Sequence, residues 1–146
     1  TGTSRFILRL TSAGLLAIGG RRLDADSLTT RNGATVANNT TFLTTAGLEW
    51  ASGNSFARLN GSSEVADGAF QTAGTSENLA ALALTIGGRL SADTWTTDIG
   101  DVFFFTASAD IADAVLEKAE GYMAHKRGLT ANLPGGHPFK TNAPTP

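Results

Sequence analysis

The feature that most constrains this chain is a change of hydrophobic period. Over roughly the first 105 residues the apolar side chains come in short runs, broken by turn residues about every 8–12 positions; from Ile111 they recur at helical spacing. No helical stretch separates one strand from the next, so a parallel α/β sheet is ruled out. The pattern predicts an all-β antiparallel sandwich or jelly roll with one C-terminal helix.

Arg5 to Thr11 alternates, with Phe6, Leu8 and Leu10 on one face, and Ser12-Ala13-Gly14 turns the chain into a return strand over Leu15 to Arg22. Leu28 to Arg31 reads as a short strand closed by the turn dipeptide Asn32-Gly33. Phe42 to Trp50, Ser55 to Leu59 and a weaker Glu64 to Phe70 are joined by Ser52-Gly53-Asn54 and Asn60-Gly61, which predicts two consecutive tight hairpins. Leu79 to Ile86 is apolar and ends at Gly87-Gly88. Trp95 to Thr106 closes the β region. Its run Val102-Phe103-Phe104-Phe105 is apolar on both faces and is expected in a central strand between two layers.

The positions of Ala112, Val115, Leu116, Ala119, Tyr122 and Met123 then predict a helix over 110–127. Ser108 or Asp110 would cap its start, Lys126 and Arg127 suit the negative end of its dipole, and Gly128 would stop it. One domain is thus expected over 1–128, followed by a proline-containing extended tail over 129–146.

Composition narrows the function classes. The net charge is −2, which offers no electrostatic footprint for nucleic acid. No apolar run approaches the ~18 residues of a membrane span, so no membrane insertion is expected. Without cysteine, disulfides and thiol chemistry are excluded. Charged residues make up 16%, the remainder of the surface falling to Thr, Ser, Asn and Gly, as is common in extracellular and virion β-proteins.

The C-terminal residues are more specific. Glu120-Gly121-Tyr122-Met123-Ala124-His125-Lys126-Arg127-Gly128-Leu129-Thr130-Ala131-Asn132-Leu133-Pro134, followed by His137-Pro138-Phe139, resembles the closing motif of bacterial and phage concanavalin A-like (laminin G-like) domains. Asp98 to Phe105, Asn60-Gly61 and Leu84-Thr85-Ile86-Gly87-Gly88 resemble further elements of that family, in its order. Arg127 stands where the family usually has Trp, and the strands that usually precede the segment matching Arg5 to Thr11 are missing. A shortened domain or a piece of a longer chain is expected from that, and the opening residue Thr1 suits a processed chain or a fragment. The resemblance implies a jelly roll that displays binding surfaces outside the cell or on a virion. The partners it implies are cell-surface glycan or other virion or surface proteins, including further copies of the same chain.

A retaining glycosidase needs two carboxylates about 5–5.5 Å apart. The nearest pair, Asp98 and Asp101, is separated by an odd number of residues and would point to opposite faces of a strand. A non-catalytic domain is therefore expected. Asp24 and Asp26 flank a turn and could ligate calcium, a cofactor common in laminin G-like domains; the alternative is a solvated acidic loop. Trp95, in a polar loop with Asp93, is the candidate sugar platform, with a place in the core as the alternative, whereas Trp50 shares a face with Phe42 and Leu48 and is expected in the core. His125 is expected to be structural, near the helix end or under the tail.

Overall fold

The computed structural model describes residues 6–23, 25–67, 70–75, 86, 88–89, 93–94, 98–105 and 111–145. Two antiparallel three-stranded sheets are formed in chain order. The first holds β1 (Phe6–Leu10), β2 (Leu15–Gly20) and β3 (Thr29–Thr35); the second holds β4 (Thr44–Glu49), β5 (Asn54–Leu59) and β6 (Ser62–Asp67). A two-stranded piece, β7 (Gly88–Arg89) with β8 (Asp93–Thr94), follows, and then helix α1 (Asp113–Arg127). The architecture is thus all-β with one C-terminal helix among the described residues.

The turns explain the register. Gly14 sits at φ 74° and closes β1 onto β2, so that Leu10 faces Leu16 and Leu8 faces Ile18. Asn60 and Gly61 both take positive φ, 52° and 81°, the two-residue turn whose twist suits a hairpin. The Asn60 side chain also accepts from the Leu43 N–H at 2.9 Å, and its own N–H donates to the Leu43 carbonyl at 2.7 Å, which clamps the turn to the start of β4. Asn32-Gly33, expected to end a short strand, does not turn the chain. It lies inside β3 at a bulge, where the pairing steps from Leu15–Thr35 to Ala17–Asn32, because the partner β2 runs on alongside it.

Side chains from both sheets share one core. Leu16, Ile18, Val36, Ala57 and Phe70 are buried together, with Leu8, Leu10, Phe42, Ala46, Leu48 and Leu59 packed around them. This is the layering of a β-sandwich. Trp50 is half-buried rather than a member of that cluster. The helix carries its own buried stripe, Leu116, Met123 and Ala124. Enclosing a side chain the size of Leu116 or Met123 contributes about 1.5–3 kcal/mol.

Three expectations need correction. The helix starts at Asp113, three residues later than expected, and Ala112 precedes it without a side-chain cap; Ser108 and Asp110 lie outside the described residues. Val115 and Tyr122 are exposed, because the stripe that docks is centred on Leu116, Glu120 and Met123. The tail is not extended. A 3-10 turn at Thr130–Asn132 and two further turns, His137 N–H to the Pro134 carbonyl (3.0 Å) and Lys140 N–H to the His137 carbonyl (3.1 Å), fold it back on itself. The Lys140 ammonium gathers it further by donating to the carbonyls of Thr130, Ala131 and Leu133.

Val102 to Phe105 also differs from expectation. These four residues form no strand, and Phe104 is 64% exposed. Asp101 explains their course: it is held by Lys126 at 3.1 Å and Arg127 at 2.7 Å, which lays the segment along the outside of α1, with Phe103 edge-on to Tyr122. The expected strand over Leu79–Ile86 lies, except for Ile86, outside the described residues.

Candidate functional site

One of the four predicted site residues is placed in a cleft. Asp26 lies in the loop between β2 and β3, where its N–H donates to the Leu23 carbonyl at 3.1 Å and its Oδ2 accepts the Leu23 N–H at 3.0 Å. Arg22 Nε stands 3.8 Å from the same oxygen. This closed loop turns Asp26 and Ser27 toward the beginning of β3. Together with Thr29, Phe70, Gln71 and Thr72 they line an open cleft of about 420 Å³.

The opposite wall is equally anchored. Gln71 N–H donates to the Gly53 carbonyl at 3.1 Å and Gly74 N–H to the Trp50 carbonyl at 2.9 Å, fixing the 70–75 segment to the β4–β5 turn. The Gln71 amide donates to the Gly20 carbonyl, which ties this wall to β2. Gly53 has to be glycine here: it sits at φ 76°, and a Cβ would overlap the Gln71 carbonyl. Phe70 forms the floor, only 2% exposed, with the Arg31 guanidinium 5.9 Å from its ring centre.

Asp24 and Trp95 lie outside the described residues. Asp93 pairs through its backbone with Arg89 in the β7–β8 piece. Calcium binds six to eight oxygens, and Asp26 meets that demand poorly, since one of its oxygens is committed and faces a guanidinium. Among the described residues no group of three or more His, Cys, Asp or Glu side chains is placed to hold a metal.

A second polar cluster was not anticipated. Glu120, on the docking stripe of α1, is 1% exposed, and its Oε1 lies 2.8 Å from Arg58 Nε on β5. That is ion-pair distance, though the N–H does not point along it. Arg58 also donates to the Gly61 carbonyl at 3.0 Å and faces the exposed Asp113 at 3.5 Å. The other Glu120 oxygen is 3.5 Å from His137 Nε2, and His137 Nδ1 accepts the Phe139 N–H at 3.3 Å. His125 Nε2 donates to the Phe139 carbonyl at 2.9 Å, the structural role expected of it.

Two glycines make this close approach possible. A Cβ on Gly121 would overlap the Phe139 ring, and one on Gly61 would come within 2.9 Å of His137. The residues that carry the family resemblance therefore fasten helix and tail to the β5–β6 hairpin. The sequence held one sign of this: an acid at position 120, between Leu116 and Met123, interrupts an apolar stripe and so requires a buried partner.

Asp98 is exposed, and Asp101 is engaged by the two basic residues that end α1. Hydrogen bonding first from Lys126 and then from Arg127 holds its carboxyl below the usual carboxylate range. Among the described residues no helix is long and apolar enough to cross a membrane. Comparison of the chain with protein-family models, with curated proteins and with solved structures gave no match.

Proposed function

We propose that this chain is a non-catalytic binding and structural module displayed on a virion surface, where it contacts other virion proteins, its own copies among them. The observations that carry this reading are a surface apolar run, Val102 to Phe105, and three-stranded sheets whose outer strands have unpaired edges among the described strands. Edges and apolar surface of that kind are satisfied by another chain. The low charge and the C-terminal resemblance to phage and bacterial concanavalin A-like jelly rolls support the same assignment. Electron microscopy of particles carrying a tagged chain tests it. Ordered density for the tag on the particle exterior is the expected result; a chain that stays off purified particles overturns it.

The second reading is a carbohydrate-binding domain of a larger bacterial extracellular protein or polysaccharide-degrading enzyme. The polar cleft at Asp26 favours it. In this reading Trp95, Asp93, Asp24 and Asp26 would flank the ligand. Glycan binding measured with and without a chelator separates the two roles, since protein–protein docking alone leaves a glycan array blank.

A further inference from the structure

We propose that Asn32 is a site of spontaneous covalent modification: its side-chain amide closes on the Gly33 nitrogen and is converted through a succinimide to aspartate and isoaspartate. The second Asn-Gly pair of the chain, Asn60-Gly61, is held unreactive by the fold.

The chemistry needs only water. The Gly33 backbone nitrogen gives up its proton and attacks Asn32 Cγ. The N–Cγ bond forms, the Cγ–Nδ2 bond breaks, and ammonia leaves. Water then adds to one carbonyl of the five-membered imide. Opening at Cγ gives aspartate; opening at the α-carbonyl gives isoaspartate, whose main chain runs through Cβ and Cγ. No electrons are exchanged, since one amide and one water become one carboxylate and one ammonium ion. Glycine at the following position favours closure, because no Cβ crowds the attacking nitrogen and the backbone there turns freely.

The surroundings of Asn32 leave that path open. Its side chain is at the surface, and among the described residues none holds its amide. Its glycine falls in the bulge of β3. Ala17 pairs with Asn32 and Leu15 with Thr35, so Gly33 and Ala34 together face Leu16, and the ladder is interrupted there. A regular ladder would hold the glycine nitrogen against the neighbouring strand and away from the side chain. Among the described strands β3 is also an outer strand of its sheet, where local opening is easiest.

Asn60 has the same dipeptide and the opposite surroundings. Its side-chain oxygen accepts the Leu43 N–H at 2.9 Å, and its own N–H donates to the Leu43 carbonyl at 2.7 Å. The Gly61 carbonyl accepts from the Arg58 guanidinium at 3.0 Å. Gly61 is packed so closely that a Cβ there would come within 2.9 Å of His137 and 3.3 Å of Leu133. Ring closure would have to break the Leu43 clamp and turn a peptide enclosed by the tail. Modification at Asn32 meets no such barrier, and it has two structural results. Both products place a negative charge next to Arg31. Isoaspartate also adds one backbone carbon between the Ala17 and Leu15 pairings, which the bulge must absorb, so the aged chain should melt at a lower temperature.

The test is peptide mapping by mass spectrometry of the full chain incubated at mildly alkaline pH, folded in one arm and in concentrated urea in the other, with isoaspartate separated from aspartate by chromatography. In the folded arm Asn32 should convert at least about tenfold faster than Asn60, as local opening governs access. In urea the two sites should convert at similar rates. Asn32→Gln, which would have to close a larger ring, should yield no product at position 32 and should keep its melting temperature on ageing. Equal rates at the two sites in the folded arm overturn the proposal. A difference of the same size in urea also overturns it, because the flanking residues and not the fold would then set the rates. A melting temperature that falls equally in Asn32→Gln overturns the structural result assigned to the modification.

Discussion

Two regions of this molecule reverse the simple rule of apolar inside and polar outside, in opposite directions. At the helix dock, Glu120 and His137 are buried, each to 1% side-chain exposure, beside a half-buried Arg58. Along residues 102–105, Val102 and three phenylalanines stand at the surface. What separates them is the presence of partners. The buried acid has a guanidinium at 2.8 Å and an imidazole at 3.5 Å, whereas among the described residues the exposed run has an edge-on ring contact, Phe103 with Tyr122. A residue's place is decided by what its neighbours can satisfy, and hydropathy is only a first indication of it.

The sharpest way to break this contrast is to remove the acid. Glu120→Ala leaves Arg58 and His137 without their shared carboxylate and is expected to cost about 3–5 kcal/mol, the usual penalty for orphaning one member of a buried pair. Denaturant unfolding of the two proteins would measure it, and a loss below about 1 kcal/mol would mean that the cluster is solvated in solution.

A smaller effect is expected where the tail packs on the helix. Gly121→Ala places a methyl group against Phe139, which must move aside, at a cost of about 1–3 kcal/mol. Limited proteolysis should then cut within 129–145 sooner than in the unaltered protein. Unchanged cleavage would show that the tail accommodates the methyl group freely.

The mildest test concerns the tether of the exposed run. The carboxyl of Asp101 is held below the usual carboxylate range by hydrogen bonds from Lys126 and Arg127. A carboxylate whose folded value is depressed stabilises the fold fully above its unfolded value and loses that contribution as the pH falls through the lower, folded one. Fluorescence or proton spectra of the Phe103–Tyr122 contact should therefore hold steady from neutral pH down to about 4 and change only below it. In Asp101→Asn the change should already be present at neutral pH and show no acid step.

How much of this was legible in the sequence depends on the range of the contacts involved. The first hairpin and the two around β5 were readable because Gly14, Gly53 and Asn60-Gly61 act locally, through their own backbone angles. Asn32-Gly33 has the same local signature and still runs straight, since β2 supplies a pairing partner beyond it. Phe103 to Phe105 carry the composition of a central strand, yet the ion pairs at Asp101 draw them to the helix, a contact between residues far apart in the chain. At the cleft, Asp26 stood out as an acid in a turn. Ser27, Thr29, Gln71 and Thr72 did not, because common polar residues become a site only when two distant segments meet.

The fastening of α1 to the β5–β6 hairpin also orders events in time. While the chain is being synthesised, both hairpins of the second sheet can form as soon as Asp67 is free, since their pairings are local. Arg58 must then wait for Glu120, and Gly61 for His137, before the helix can seat. Until Phe139 emerges, the outer surface of β5 stays wet and its guanidinium stays hydrated. Closure is thus a late, single step that depends on residues 120–139, and any delay in delivering them prolongs the interval in which the sheet is open to chaperones or to other nascent chains.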